Sequence, residues 1–299
     1  MNPADYGRNM ADKMEFGVMF ANTGHGSSPE GSVLLAQTAE QAGFAALWTV
    51  EHVVVPSGYQ SAYPYDPSGK MAGGAEEFDL PDPLIWLAWV AAHTTTIRLA
   101  TGILILPQRN PVITAKELAT LDHLSGGRVT LGVGAGWLAE EFAALGVPFD
   151  DRGRRLDEYV AVMRALWTED KTDFAGEFFN FTQCISRPRP PQGSIPVVVG
   201  GHTPVAARRA GRSGDGFFPG NASIEEITDL LAIMRTAAED AGRDPDQISI
   251  IAGAGGAPGD GLHARIEQLA HIGVEQVIIP AYPPERLATV GADLLARFS

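Results

Sequence analysis

A short apolar, β-branched run, then a longer segment of helical period, then glycine: this unit recurs eight times along the chain and constrains the fold more than any other feature. The runs are 15–20 (EFGVMF), 44–50 (FAALWTV), 97–106 (IRLATGILIL), 129–134 (VTLGVG), 195–201 (IPVVVGG), GDGFFP from Gly214, QISIIAGAG from Gln247 and EQVIIP from Glu275. Between them stand helix signals. Ser28 caps a first helix with Pro29 at its first position, and Gly43 closes it. Asn110-Pro111 opens another that ends at LSGGR. In RLDEYVAVMRALW, Leu156, Tyr159, Val160, Met163, Leu166 and Trp167 recur at spacings of three and four, which predicts one buried helical face. Thr203-Pro204 starts a further helix, Ser223 and Glu226 form a capping box, and Leu262–Ile272 and Pro284–Phe298 complete the series.

Strands alternating with helices predict a parallel sheet, and continuous apolar strands suit burial on both faces. Eight such units select a closed α/β architecture, the (β/α)8 TIM barrel, over an open doubly wound sheet. The turn after the first strand, FANTGHGSSPEG, offers Gly24 and Gly26 but no dinucleotide fingerprint. One domain is expected over residues 14–299, preceded by a polar, unpatterned extension at 1–13 expected to be disordered. Two connections are long: 53–82 after the second strand and 168–194 between helix four and strand five. Both read as structureless insertions, the first on the C-terminal face where barrel enzymes keep their sites.

Charge and cysteine content narrow the function. Lysine plus arginine number 22 against 36 aspartate plus glutamate, a formal charge of −14. Such a surface repels phosphate backbones and anionic lipids, so neither nucleic acid nor a membrane is an expected partner. No apolar run has the length of a membrane span, and the N-terminal residues lack the pattern of a secretory leader. Cys184 is the single cysteine, which excludes an internal disulfide. A cytoplasmic protein acting on a small molecule is the expectation. His25, His93, His123, His263 and His271 have no metal-ligand spacing, and no metal is expected.

Three places carry chemistry. Glu51-His52 ends the second strand, at the barrel mouth under the first insertion. The pair can close the rim as a structural carboxylate–imidazole bond, or serve a bound ring and substrate. The turn VVVGGHTP (197–204) joins two glycines to a helix N-terminus, a setting for an anion, and GAGGAPGDG (253–261) competes with it. GVGAGWLAEEF (132–142) lets a flat ligand approach Gly134 and Gly136 with Trp137 beside it; Glu140 and Glu141 read as first-turn acids complementing a helix dipole.

The words AEQAGFAALWTVEH, YPYDPSG, the long string from TTTIRLATGILILPQRNP through GVGAGWLAEEFAALGVPFDDRGRRLDEYV, and IPVVVGGHTPVAARRAGRSGDGFF together resemble the luciferase-like monooxygenase superfamily, in particular its coenzyme F420-dependent oxidoreductases. The resemblance runs nearly the whole chain from Met14. It implies a deazaflavin at the barrel mouth, its ring resting on a bulge at Thr101-Gly102-Ile103 with a cis bond between Gly102 and Ile103. It implies that Glu51 and His52 lie by the ring, that Gly134, Ala135 and Gly136 line the cofactor, and that Val199, Gly200, Gly201, His202 and Thr203 hold its phosphate. His52 would then exchange a proton with substrate, with Glu51 orienting it, and Tyr59, Tyr63, Tyr65, Phe78 and Trp137 would wall the substrate. Two departures set this chain apart: Trp137 stands where some deazaflavin dehydrogenases have an acid, and Ala21-Asn22 where some have a glutamate. The implied activity is hydride transfer between F420 and a small organic molecule, with a homodimer as the expected assembly. The alternatives are an FMN-dependent monooxygenase served by a separate reductase and a flavin-binding protein without turnover.

Overall fold

The computed structural model describes residues 14–255 and 259–298. The extension at 1–13 lies outside them. Among the described residues the strands are β1 (Glu15–Met19), β2 (Ala46–Thr49), β3 (Arg98–Thr101), β4 (Leu104–Ile105), β5 (Val129–Gly134), β6 (Thr172–Ala175), β7 (Asn180–Cys184), β8 (Val197–Gly200), β9 (Gly216–Phe218), β10 (Ser249–Gly253) and β11 (Gln276–Pro280). The helices are α1 (Pro29–Gln41), α2 (Pro83–Ala91), α3 (Pro111–Ser125), α4 (Ala139–Ala144), α5 (Arg152–Thr168), α6 (Pro204–Ser213), α7 (Ile224–Asp240), α8 (Asp260–His271) and α9 (Pro284–Phe298).

Parallel pairing runs β1-β2-β3-β5-β8-β9-β10-β11 and returns to β1, where Glu15 faces Gln276. The ring is closed, and the expected (β/α)8 barrel is what the chain forms. The third strand departs from its expected continuity. It breaks after Thr101 at a cis Gly102-Ile103 bond and resumes as β4, whose Leu104 and Ile105 pair with Val133 and Gly134. Thr101 lies so close to β5 that a Cβ on Gly132 would stand 1.9 Å from the Thr101 carbonyl oxygen.

Ala46, Trp48, Ala100, Val198, Phe218, Ile251 and Ile278 form an inner cluster of buried side chains, with Met19 against it. Trp48 is accommodated by Gly17, whose missing Cβ would stand 2.8 Å from the indole nitrogen, and Trp48 Nε1 donates to Gln276 Oε1 at 3.0 Å. The six periodic residues of α5 are all buried, and Trp167 Nε1 donates to the Ala115 carbonyl at 2.9 Å, stitching α5 to α3. Ser28, Asn110 and Thr203 cap their helices through side-chain oxygens, and the Ser223–Glu226 capping box is complete.

The second insertion corrects the expectation of a structureless loop. β6 and β7 make an antiparallel hairpin with Phe174 stacked on Phe181 at 5.8 Å. Its tip is nested on α5, where the Glu158 carboxylate accepts from the amides of Glu177, Phe178 and Phe179. The first insertion is irregular apart from a 3-10 turn at Met71–Gly74 and leads into α2. Among the described residues no helix is long and apolar enough to cross a membrane.

Candidate active site

Glu51 leaves the end of β2 buried, and it does not touch His52 as expected. Its carboxylate accepts from Arg109 Nε at 2.8 Å, from the Arg109 terminal nitrogen and from the Ile105 amide. The broken third strand is the cause, because it turns the Ile105 N–H inward and leads into Arg109. Arg109 also reaches Asp82, which caps α2. Burial pushes the Glu51 carboxyl up against the pull of Arg109 and the Ile105 amide. Burial opposes the Arg109 charge too, yet Glu51 and Asp82 hold the guanidinium above its ordinary value. Glu51 is thus a clamp between β2 and the connection into α3.

The group that meets His52 is Glu141. His52 Nδ1 lies 2.9 Å from Glu141 Oε2, while Glu141 Oε1 accepts from the amides of Val53 at 2.6 Å and Val54 at 3.3 Å. Glu140, one residue earlier, accepts from the Ser61 hydroxyl and the Gln60 and Ser61 amides. The Ser61 hydroxyl and the Gln60 amide hold the Glu140 carboxyl down at about 2. Both acids stand in the first turn of α4 as expected, and both also tie the first insertion to that helix. Their signal was present in the sequence. Leu138, Glu141 and Phe142 share one helical face, and all three are buried, so the carboxylate on that face needed a partner. Asn22 was also missed as a site-shaping residue. Buried after β1, its amide donates to the Val50 and Pro81 carbonyls and accepts from the Val50 amide.

Aromatic rings continue from His52 across the mouth. Trp137 meets His52 edge-on at 5.6 Å, Tyr59 at 5.5 Å and Tyr63 at 5.1 Å; Tyr63 meets Tyr65 at 5.4 Å, and Tyr65 meets His202 at 4.8 Å. Burial, then the neighbouring Tyr65, pushes the Tyr63 hydroxyl up to about 12, so it stays a hydrogen-bond donor at all ordinary pH. One of the expected substrate contacts has another role, and another stands apart from the ring row. Tyr59 is buried, with its hydroxyl accepting from the Met71 amide at 2.8 Å, and anchors the insertion. Phe78 is 37% exposed, and among the described residues no ring contact joins it to the other aromatics.

Ile103 is half-buried between Gly134 and Gly200. A Cβ on Gly134 would stand 2.7 Å from Ile103 Cδ1, and one on Gly200 would stand 2.4 Å from Ile103 Cγ2, so these glycines make room for Ile103. The same holds for Gly136, whose φ of 83° and close neighbours Ile105 and Phe142 explain the residue without a ligand. Ala135 is half-buried between them. The buried Thr101 hydroxyl donates to the Gly132 carbonyl at 2.7 Å, and Val199 packs in the core, so neither presents its side chain to the mouth.

At the turn into α6, the Gly201 amide is committed to the Phe218 carbonyl at 3.0 Å and cannot serve an anion as expected. The Thr203 hydroxyl accepts from the Ala206 amide at 3.2 Å. His202 Nδ1 is buried without a partner among the described residues, a polar atom whose satisfaction calls for a ligand or water. Arg209 is paired with Asp157 and Arg212 lies 4.0 Å from it, so these cations face α5. The rival GAGGAPGDG turn falls partly on 256–258, outside the described residues. Among the described residues no group of His, Cys, Asp and Glu side chains is placed to hold a metal ion.

The sequence matches the family model described as luciferase-like monooxygenase over residues 14–288. An uncharacterised protein of Mycobacterium tuberculosis is 36% identical over 264 residues, 87% of this chain and 86% of its own length. An F420-dependent glucose-6-phosphate dehydrogenase of Kineococcus radiotolerans is 33% identical over 71% of this chain and 59% of its own length. Among solved structures, the monooxygenase RslO1 of Streptomyces bottropensis superposes with a TM-score of 0.76 at 25% identity, covering 95% of this chain and 98% of that one. The F420-dependent tetrahydromethanopterin reductase of Methanopyrus kandleri shares the fold, with the same TM-score at 19% identity and coverage of 96% and 100%. On the extent of these matches, the chain belongs to the luciferase-like monooxygenase family, a family of oxidoreductases.

Proposed function

We propose that this chain moves a hydride between coenzyme F420 and a small, neutral organic molecule. The observation that carries the placement is the unpartnered, buried His202 Nδ1 at the start of α6, one ring away from the aromatic row that leads to His52. An imidazole N–H and a helix N-terminus suit an anionic group, and the His202 and Thr203 amides would hold the cofactor phosphate there. The F420-dependent names of two curated relatives favour the deazaflavin. When bound, the cofactor supplies the hydride chemistry; the chain supplies position and a proton. Ile103 supports the ring, Trp137 and Tyr63 keep water from the face above, and His52 exchanges a proton with the substrate through Nε2.

The substrate is neutral because the cations at the mouth are spent internally. Arg109 is held by Glu51 and Asp82, Arg152 by the Gly136 and Phe149 carbonyls, and Lys70 by the Tyr59 carbonyl at 2.7 Å. None of these three cations is left to partner a phosphorylated sugar, and the wall beside them is aromatic. A second copy of the chain is the proposed partner: α2 contains no charged side chain, its Ile85 and Trp89, four residues apart, are exposed, and so is Ile113 of the neighbouring α3. The single free cysteine fits a cytoplasmic location.

The FMN-dependent monooxygenase remains the second reading, favoured by the likeness to RslO1. Titration of the protein with F420 and with FMN, read by fluorescence, separates the two. Tighter F420 binding followed by hydride transfer supports the proposal. Preference for FMN overturns it in favour of the second reading, and F420 binding without transfer to any acceptor makes the chain a binding protein.

A further inference from the structure

We propose that Glu141 is the positioning residue for His52: it holds the imidazole with its proton on Nδ1, so that Nε2 is the atom turned to the substrate. The inference rests on the reading of His52 as the proton-exchanging group and adds to it the residue that makes the exchange directional.

The geometry leaves few alternatives. Glu141 has no exposed surface, and both its oxygens are engaged. Oε1 takes the Val53 and Val54 amides, and Oε2 faces His52 Nδ1 at 2.9 Å. A carboxylate only accepts, so the proton of this contact belongs to Nδ1. Nε2 then carries the lone pair in the neutral ring, and among the described residues it has no hydrogen-bond partner. The neighbouring acid cannot substitute, because Glu51 is bound to Arg109 and Ile105. The ring plane is fixed from a second direction by Trp137, edge-on at 5.6 Å. The helix that carries Glu141 is itself held, since Phe142 packs edge-on against Phe149 at 5.2 Å and Glu140 grips Gln60 and Ser61. A carboxylate behind an imidazole fixes its tautomer and balances the charge that forms when the outer nitrogen takes a proton. The same carboxylate holds the first two amides of the insertion, so ring orientation and the root of the loop are set together.

The test reads the tautomer directly. The full chain, with no cofactor added, is labelled with ¹⁵N-histidine, and long-range proton–nitrogen spectra report which ring nitrogen of each histidine is protonated; His52→Gln identifies the His52 signals. The expected result is a proton on His52 Nδ1. Protonation at Nε2 overturns the proposal, and this measurement on the unaltered chain needs no variant to fold. In Glu141→Gln the carboxamide oxygen still accepts the Val53 amide while its NH2 faces Nδ1, so the proton is expected to move to Nε2. Single-turnover hydride transfer is then expected to fall at least tenfold with F420 affinity unchanged. An unaltered tautomer and rate in that variant reduce Glu141 to a loop clasp and overturn the proposal. Nδ1 protonation combined with full turnover by His52→Ala supports the proton placement and overturns the role given to His52 under the proposed function, so the two failures are told apart.

Discussion

Ile103 is wedged between two glycines, and different atoms of its side chain touch each, which permits a rescue experiment with atomic resolution. In Gly134→Ala the new methyl meets Ile103 Cδ1 at 2.7 Å and Cγ1 at 3.0 Å; in Gly200→Ala it meets Cγ2 at 2.4 Å. Neither glycine has a positive φ, so alanine brings no backbone strain and gains roughly 0.4–1 kcal/mol by restricting the unfolded chain. Overpacking costs about 1–3 kcal/mol, which leaves each variant destabilised by roughly 0–2.6 kcal/mol. Ile103→Val removes Cδ1 and keeps Cγ2, at a cost of its own of about 0.5–1.5 kcal/mol. The double variant Gly134→Ala/Ile103→Val is therefore expected to show a favourable coupling of about 1 kcal/mol, and Gly200→Ala/Ile103→Val almost none. Only Ile103→Ala, which removes Cγ2 as well, should relieve Gly200→Ala. Urea unfolding followed by tryptophan fluorescence gives the four corners of each cycle, with midpoints compared at a common slope. Valine rescuing Gly200→Ala but not Gly134→Ala would refute the placement of Ile103, and with it the floor on which the cofactor ring is proposed to rest.

Three further outcomes are expected. His52→Ala lowers single-turnover hydride transfer by ~10²–10⁴-fold with F420 affinity retained in a binding titration, as for loss of a general acid or base. Gly201→Val, at a φ of 135° and with its Cβ 2.9 Å from Ala206 Cβ, weakens F420 binding at least tenfold by displacing the start of α6, while FMN-free and F420-free far-UV spectra stay those of the barrel. Asp122, pushed up to about 6 by burial against the pull of the Val129 amide, binds its proton more tightly folded than unfolded. Its contribution to stability is greatest below about pH 4 and is lost as pH rises through 6. Asp122→Asn keeps an acceptor for Val129, so the stability difference between variant and parent should widen in favour of the variant over that window; a difference constant with pH contradicts the burial argument.

The barrel was legible because its determinants are local and repeated: the Ser28, Asn110, Thr203 and Ser223 caps and the period of α5 each specify their element without reference to the rest of the chain. The hairpin of β6 and β7 was missed for the opposite reason. Its strands bury little, and its tip is held by Glu158, a residue of the preceding helix whose role no local pattern reveals. The site divides the same way. Position at the end of a strand placed Glu51 and His52 at the mouth, but adjacency in sequence wrongly made them partners. Successive residues of an extended chain point in opposite directions, so Glu51 turned to Arg109 and His52 to Glu141, 58 and 89 residues away. Gly134 and Gly200 read as space for a ligand, yet Ile103 occupies that space, and Ile105 and Phe142 occupy the space at Gly136, because a sequence shows where a side chain is absent and not what occupies its place.

Asn22 has a consequence for how such a chain can diversify. One amide group holds both Val50 and Pro81, the residues at which the first insertion leaves the barrel and returns to it. Everything between them departs from a single point and comes back to it, as a cassette plugged into one socket. The entropy of closing a loop grows slowly with its length, about 0.6 kcal/mol for each doubling, so a replacement segment of another size is tolerated by the barrel if it begins and ends at that asparagine. The clasp at α4 is the part that does not transfer so freely. A grafted cassette must offer Glu140 and Glu141 donors to replace those of Val53, Gln60 and Ser61, or the half-exposed Glu140 and the buried Glu141 are left without them. New substrate walls can be traded at this socket as long as Glu51 and His52, which lie just inside it, stay with the barrel.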